Sequence, residues 1–140
     1  MRKNKLVINY NYDFELSGII TPLKGYKLAW EINRKLGVNL VRQPDLAVGF
    51  KNNEEKFFSF YAYETRINRL KLFKNKPVDY EKGKYFLVPE FPRFDFILLT
   101  RSSDDDFNNQ VIASLKEISS IELLSSIPTS TLKSKVNFIF

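Results

Sequence analysis

The chain has 140 residues, and its 22 Lys and Arg against 16 Asp and Glu give a formal net charge of +6. It contains no Cys and no His, which excludes disulfides, thiolate or imidazole metal sites, and catalysis by Ser-His-Asp or Cys-His groups. The hydrophobic content of 44% is typical of a globular protein, and the length fits one domain over residues 1–140.

The N-terminal residues do not have the pattern of a targeting segment. Met1–Lys5 is basic, but only Leu6–Ile8 is apolar behind it, whereas a signal peptide has about 7–15 apolar residues there. No apolar run approaches the ~20 residues that cross a bilayer. We therefore expect a cytoplasmic protein that makes no membrane contact.

The positive charge is concentrated in the first half of the chain. Residues 1–74 carry 14 basic and 7 acidic side chains, whereas residues 75–140 carry 8 and 9. A basic half favours nucleic acid or acidic partners, although it is also compatible with a protein that is merely soluble and basic.

The first elements are a strand pair and a helix. Leu6–Tyr10 predicts a strand that Asp13–Ile20 extends or pairs with. Thr21-Pro22 predicts an N-cap followed by proline at the first helical position, so the helix is expected to run to about Leu36. Gly37 supplies its C-terminal stop.

This first helix is predicted to be amphipathic. Its basic strip consists of Lys24, Lys27, Arg34 and Lys35, with Glu31 among them. The remaining positions are mainly apolar, so a wide stripe is expected to face the core. We expect Tyr26 and Trp30 to pack in that core, where large aromatic side chains are common.

The middle of the chain predicts several strands. Val38–Val41 and Asp45–Phe50 are short strands around Pro44. Phe57–Tyr63 is apolar on both faces, which is typical of a central strand. Asn68–Lys74 alternates between basic and apolar residues, which predicts one buried and one solvated face. A polar loop is expected over residues 75–82.

The last third predicts a strand–helix–strand unit. Lys84–Val88 and Phe94–Thr100 are expected to be strands that residues 89–93 connect. Ser103 predicts an N-cap, with Asp106 three residues on as in a capping box. One helical face then carries Phe107, Val111, Leu115 and Ile118. Ile121–Ile127 returns as a strand.

The C-terminus and the element order indicate the fold class. Pro128–Leu132 predicts a helical turn, and Val136–Phe140 a strand or a docked tail. We predict an α+β fold with a mostly antiparallel or mixed sheet and two main helices packed on one face. The final strand–helix–strand unit is similar to half of a ferredoxin-like unit, which by itself implies no function.

Three consecutive acids at the start of the second predicted helix, Asp104–Asp106, have the oxygen ligands that Mg²⁺ prefers. Acids at a helix N-terminus also complement the helix dipole, and adjacent helical residues point in divergent directions. We therefore expect a cap and no metal. The five glycines are isolated, so no phosphate loop is predicted, and we expect no cofactor.

The octapeptide Lys56–Tyr63 reads KFFSFYAY and is similar to the RNP1 segment of RNA-recognition domains. The matching positions are Lys56, Phe58, Phe60 and Tyr63. Aromatic rings beside cations stack on single-stranded bases if they are exposed. However, Phe57 and Ser59 replace small residues that the segment normally carries, and the first strand offers no convincing RNP2 partner.

Two carboxylates bracket the predicted connection between the later strands. Glu90 and Asp95 could act as a general acid and base if their side chains converge. They could equally fix the turn by accepting hydrogen bonds from the backbone or from Arg93. Asp13 and Glu15 share one face of a predicted strand, without a partner base.

The segment Val88–Phe96 reads VPEFPRFDF and resembles the motif of an uncharacterised bacterial family named for its signature I-P-E-x-x-x-V-D-Y. Pro89, Glu90 and Asp95 match this signature, and the apolar positions differ from it slightly. Further similar segments are DFELSGI at 13–19, YKLAWEIN at 26–33 and LKSKVNFIF at 132–140. The resemblance implies a small stand-alone protein and brings no activity, ligand or partner with it.

The motif itself allows two interpretations. Pro89 and Pro92 stiffen the connection, so Glu90 and Asp95 are expected at fixed positions beside a strand end. The motif residues Pro89, Glu90, Arg93 and Asp95 then form either a fold-specifying turn or a ligand or partner site, since loops commonly carry function.

Three functional hypotheses remain open. The first is a non-enzymatic protein that associates with a protein partner or with its own copy, since no catalytic set is recognised. The second is a domain that binds single-stranded RNA. Its phosphate contacts would come from Lys24, Lys27, Arg34, Lys35, Arg69 and Lys71. The third is a carboxylate-based enzyme that uses Glu90 and Asp95.

Overall fold

A computed structural model describes residues 13–79 and 85–140. The predicted strand Leu6–Tyr10 lies outside these residues, as do parts of the predicted loop 75–82 and of the predicted strand Lys84–Val88. In chain order, the elements are β1 (Glu15–Ile20), α1 (Gly25–Leu36), β2 (Val41–Arg42), β3 (Leu46–Gly49), β4 (Glu55–Phe58), β5 (Phe60–Glu64), β6 (Asn68–Lys74), β7 (Phe96–Ser102), α2 (Phe107–Leu115), β8 (Leu123–Ile127) and a C-terminal 3₁₀ helix (Lys133–Phe138).

The main sheet has six strands in the order β2-β5-β6-β7-β1-β8, and each neighbouring pair is antiparallel. Strands β3 and β4 form a separate two-stranded hairpin. The predicted α+β class with a mostly antiparallel sheet is confirmed.

The similarity to a ferredoxin-like fold extends beyond the last third of the chain. β7, α2 and β8 form a split unit, because β1 lies between β7 and β8 in the sheet. With α1 after β1, the order β8-β1-β7-β6 is that of a ferredoxin-like sheet. The segment that contains β2 to β5 is inserted between α1 and β6.

The pleat of the strands divides the apolar residues between two cores. On the helix face of the sheet, Leu70, Leu72 and Leu98 share a buried cluster with α1 and α2 residues such as Leu28 and Leu115. On the opposite face, a second cluster joins the sheet to the β3–β4 hairpin, the motif segment and the 3₁₀ helix. Its members include Leu16, Phe58, Phe73, Val88, Phe94, Ile97 and Phe138. Both helices therefore pack on one face, as predicted.

The first helix begins three residues later than predicted. The Thr21 hydroxyl donates to the Ser120 carbonyl at 2.6 Å and accepts the Leu23 N–H at 3.2 Å, so it closes a turn and does not cap the helix. The residue before the helix, Lys24, forms no side-chain cap. The predicted stop is present, since Gly37 has φ 67° and ψ 36°, a conformation that glycine adopts without strain.

The predicted central strand Phe57–Tyr63 is interrupted at Ser59. The Phe57 carbonyl accepts the Val78 N–H at 2.8 Å, whereas the Ser59 carbonyl accepts the Lys74 N–H at 3.0 Å. Phe58 therefore belongs to the hairpin, and Phe60 begins a strand of the main sheet. The prediction of a strand over Lys84–Val88 is wrong for residues 85–88, which have no regular secondary structure and bend at 87–88.

The start of α2 differs from prediction, whereas the C-terminal tail takes one of its two predicted forms. The Asp104 carboxylate accepts the Asp106 N–H at 3.0 Å, and the Ser102 hydroxyl accepts the Asp104 N–H at 2.9 Å. These groups, and not Ser103, order the start of α2. Of the two alternatives predicted for Val136–Phe140, a strand or a docked tail, the structure has the docked tail: Val136–Phe138 belong to the 3₁₀ helix, and the Phe140 ring packs edge-on against Phe60 and Phe73. Among the described residues, no helix has the length and apolar character needed to cross a bilayer.

Gly18 lies in the middle of β1, and a Cβ atom at this position would overlap the buried Phe94 ring. We expect Gly18→Ala to lower the free energy of unfolding by about 1–3 kcal/mol, because overpacking forces the ring or the backbone to move. Gly49→Ala is the matched control, since its Cβ would meet no atom within 4 Å. Urea denaturation measures both variants, and equal stabilities would contradict the close packing at Gly18.

Candidate functional site

The motif segment is organised by a residue that the sequence analysis assigned to a polar loop. Asn75 is 0% exposed. Its amide NH₂ donates to the carbonyls of Phe91 at 3.1 Å and Phe94 at 2.9 Å, and its amide oxygen accepts the Val88 N–H at 2.8 Å. Its backbone pairs with Leu87 and with Asp95. No pattern marks this asparagine, because its partners lie 12 to 20 positions away.

Glu90 connects the motif to the C-terminal 3₁₀ helix. Its carboxylate accepts the Ser134 hydroxyl at 2.7 Å and the Ser134 N–H at 3.0 Å. Partial burial acts to raise the pKa of Glu90, but the hydrogen bonds from Ser134 outweigh it and hold this pKa below its usual value. The carboxylate therefore caps the first turn of that helix.

Asp95 connects the motif to the segment between β1 and α1. Its Oδ2 accepts the Thr21 N–H at 3.0 Å, and its own N–H donates to the Ile19 carbonyl at 2.8 Å. Asp95 lines a cavity with Lys24 and Lys74, whereas Glu90 lines a different groove. The two carboxylates thus hold different parts of the chain.

The two remaining motif residues have separate positions. Arg93 is exposed, and no described ion pair joins it to Glu90 or Asp95. Pro89 is also exposed and lines the same groove as Glu90. The geometry of the motif is that of a turn fastened at both ends, with a groove along one side.

The early acids occupy a small cavity near the start of α2. Asp13 forms an ion pair with Arg101 at 3.1 Å, and Glu15 accepts the Asn108 amide at 3.2 Å. Asp104 and Asp105 line the same cavity. Within the described part of the chain, no three acidic side chains are arranged as ligands of one metal ion.

Most of the strand aromatics that suggested RNA binding are buried. Phe58 is 0% and Phe60 7% exposed, and both belong to the core opposite the helices. Tyr63 is half-buried on the helix face. Phe58 and Phe60 therefore present no ring to a base, which removes the stacking part of the RNP1 interpretation.

The predicted phosphate contacts are divided between the two faces of the sheet. Lys24, Lys27, Arg34 and Lys35 are exposed on or beside α1. Arg69 and Lys71 point to the face opposite the helices, where both line a cavity beside Phe140. The structure does not bring the six residues together.

Lys71 already has a structural role. Its ammonium group lies 4.5 Å from the centre of the Phe140 ring and 4.0 Å from the Glu64 carboxylate. Burial lowers the pKa of Lys71, although the charge of Glu64 acts in the other direction. Lys71 thus holds the C-terminal tail and is a poor phosphate contact.

The prediction that Tyr26 and Trp30 are core residues is wrong, since Tyr26 is 68% and Trp30 48% exposed. The buried stripe of α1 consists of Leu28, Ala29 and Ile32. At about 100° per residue, the opposite side of the helix presents four residues within about a third of the circumference. These residues, Tyr26, Lys27, Trp30 and Arg34, are called the aromatic-basic face below.

Two cations lie over the indole ring of the aromatic-basic face. The Lys27 Nζ lies 5.0 Å and the Arg34 Cζ 4.7 Å from the centre of the Trp30 ring, within the range of cation–π attraction. Lys35 differs from these two cations, because it forms an ion pair with Glu117 at 2.6 Å. Lys27 and Arg34 form no ion pair with a described carboxylate, so their charge is available to a partner.

Comparison with known proteins adds no further constraint. No family model matches the chain, and no curated protein matches it in sequence.

Loss of the Asn75 side chain is expected to destabilise the whole motif segment. Asn75→Ala leaves the Val88 N–H and two carbonyls without their partner, and unsatisfied buried groups cost about 1–3 kcal/mol each. We expect the free energy of unfolding to fall by roughly 3 kcal/mol in urea denaturation. Asn52→Ala, at an exposed position, should change it little. Similar losses in both variants would contradict the role of Asn75.

The Glu90 carboxylate should make stability depend on pH. Because its folded pKa lies below the ordinary value of 4.5, its contribution is complete above that value and is lost as the pH falls through the folded pKa. Glu90→Gln should therefore be less stable than wild type near neutral pH, and the difference should shrink towards about pH 3.

Urea denaturation of both proteins over this pH range measures the effect. Glu54→Gln is the control, since Glu54 is exposed and its side chain has no described partner. A difference between wild type and Glu90→Gln that is constant with pH would contradict the assignment.

Proposed function

We propose that the protein is a non-enzymatic binding domain that acts through protein–protein contacts, and that the aromatic-basic face of α1 binds an acidic surface of a partner protein. The single observation that carries the proposal is the exposure of Trp30 and Tyr26 side by side on this face. Isolated exposed apolar residues are ordinary, but two large aromatics one helical turn apart are a contiguous apolar surface.

The residue types of this face support a protein partner. Trp, Tyr and Arg are the residues most enriched among those that dominate binding energy at interfaces. Two cations already contact the Trp30 ring, and a planar aromatic side chain has few rotamers to lose when a partner covers it. Burial of the exposed parts of Trp30 and Tyr26 would then provide the apolar centre of an interface.

The charge of the face supports an acidic partner over a second copy. Lys27 and Arg34 lie on the face and Lys24 lies beside it, whereas Glu31 is half-buried. Two copies that met through this face would bring like charges together, which is unfavourable at an interface. An acidic surface would pair with these cations and would also accelerate encounter at low salt.

The arrangement of the motif supports a binding role over catalysis. The Glu90 carboxylate accepts the Ser134 N–H, and the Asp95 carboxylate accepts the N–H of Thr21 in a different part of the chain. General acid–base chemistry needs carboxyl groups that reach one reacting centre. The resemblance of this motif to the bacterial family remains a proposal as well.

The matched pair Trp30→Ala and Ile67→Ala tests the face. Ile67 is 57% exposed and lies in the turn between β5 and β6, so its loss removes a similar exposed side chain away from the face. The partner is isolated by affinity capture from nuclease-treated cells, purified, and titrated calorimetrically with wild type and both variants. We expect Trp30→Ala to raise the Kd about 30-fold, which corresponds to a loss of about 2 kcal/mol of binding free energy.

Ile67→Ala should bind like wild type. Equal affinities of Trp30→Ala and wild type for the purified partner would refute the proposal. So would a partner whose capture is abolished by nuclease.

Nucleic-acid binding through the same face is the second candidate. It is favoured by the exposed Tyr26 ring on a helix face that also carries Lys27, with Lys24 exposed beside that face, because exposed rings and cations together suit a base and its phosphates. The Trp30 ring suits it less, because a base that stacks where Lys27 and Arg34 lie has to displace a cation. Binding of a single-stranded RNA pool that weakens with salt, and that Lys24→Gln/Lys27→Gln abolishes, would favour this candidate over a protein partner.

A further inference from the structure

An open groove of about 560 Å³ runs along the motif on the face opposite α1. One side is the end of the β3–β4 hairpin with Val48 and Phe50, and the other side is the 3₁₀ helix with Ser134 and Asn137. The motif residue Pro89 lies between them. This volume is within the range of about 300–1,000 Å³ typical of small-molecule sites.

The walls of the groove are mainly apolar and are held in place. The Phe50 ring packs edge-on against Tyr85 at 4.8 Å and lies 6.3 Å from the Phe58 ring of the core. On the other side, the Asn137 amide donates to the Leu87 carbonyl at 2.9 Å. The Glu90–Ser134 hydrogen bonds fix the 3₁₀ helix against the motif. The groove is therefore preformed by contacts that do not involve a ligand.

Two lysines and one carboxylate line the groove and give it a net positive charge. Lys51 and Lys133 line it and are exposed, and no carboxylate of residues 13–79 or 85–140 forms an ion pair with either. Glu90 is the one acidic residue that lines the groove, and both of its oxygens accept hydrogen bonds from Ser134. An apolar floor thus lies beside two ammonium groups that have no described counterion.

We propose that this groove binds a small anionic amphiphile, a molecule with one apolar chain or ring and one carboxylate. The apolar body would cover Val48, Phe50 and Pro89, and the carboxylate would pair with Lys51 or Lys133. The two lysines favour a negatively charged head group, and the apolar lining favours an apolar chain or ring as the body of the ligand. A purely polar anion would leave the apolar walls in water, and a cationic amphiphile would meet two like charges.

The test uses decanoate and the cationic counterpart decylamine as probes, each below its micelle concentration, in amide-resolved NMR of the full chain. We expect decanoate to shift the amides of residues 48–51 and 133–137 with a saturable curve, and decylamine to leave them unchanged. The charge-reversal variant Lys51→Glu/Lys133→Glu should bind decanoate about tenfold more weakly. Both lysines are exposed, so the fold should be retained.

Lys24→Glu/Lys116→Glu is the matched control, because it makes the same change in net charge at exposed residues away from the groove. It should bind decanoate like wild type. The proposal is overturned if decanoate shifts amides throughout the chain without preference for the groove. Equal binding of decylamine, or undiminished affinity in the Lys51→Glu/Lys133→Glu variant, would overturn it as well. None of these outcomes depends on the aromatic-basic face of α1.

Discussion

Asn75 makes five hydrogen bonds with other described residues from a fully buried position, and these bonds organise the motif in the layer opposite the helices. A buried amide without partners is costly, so this residue favours one conformation of the motif over others. The motif in turn positions Glu90 and Asp95, which hold the 3₁₀ helix and the turn before α1. A polar side chain thus specifies a layer whose stability comes mainly from apolar burial.

The six-stranded sheet separates two surfaces of different chemistry. On the helix face, α1 turns a narrow apolar stripe inward and leaves the aromatic-basic face in solvent. On the opposite face, the motif, the hairpin and the 3₁₀ helix enclose the apolar groove with its two lysines. A partner protein bound to α1 and a small ligand in the groove would not compete for the same residues.

The sequence predicts elements well where local patterns decide them and poorly where tertiary contacts do. The bounds of Asn68–Lys74 agree with its strand residue for residue, because alternating residues favour a strand. Its predicted solvated face is partly covered, since Phe73 is buried in the second core. The interruption at Ser59 escapes prediction, because Phe57–Tyr63 is apolar throughout and only its hydrogen-bond partners divide it.

The same distinction applies to the candidate sites. Glu90 and Asp95 are recognisable from the motif, but their partners Ser134 and Thr21 lie more than 40 residues away in sequence. On α1, apolar residues cover most of the circumference, so periodicity does not determine which arc faces the sheet. In the structure, the stripe around Leu28 and Ile32 packs against the sheet. Trp30 and Tyr26 lie on the opposite side of the helix and are therefore exposed.

The position of β1 between β7 and β8 has a consequence for how the chain folds. Ile19 pairs with Phe96 and Ile20 pairs with Leu123 at the inner ends of the two ladders, so each ladder closes a loop of more than 75 residues. Contacts this distant in sequence are associated with slow folding, since chain entropy is lost before they form. During synthesis, both hydrogen-bonding edges of β1 await strands that leave the ribosome much later. Over that interval, its apolar residues Leu16 and Ile19 lack the strands that bury them in the folded chain, and transiently exposed apolar surface of this kind is prone to aggregation.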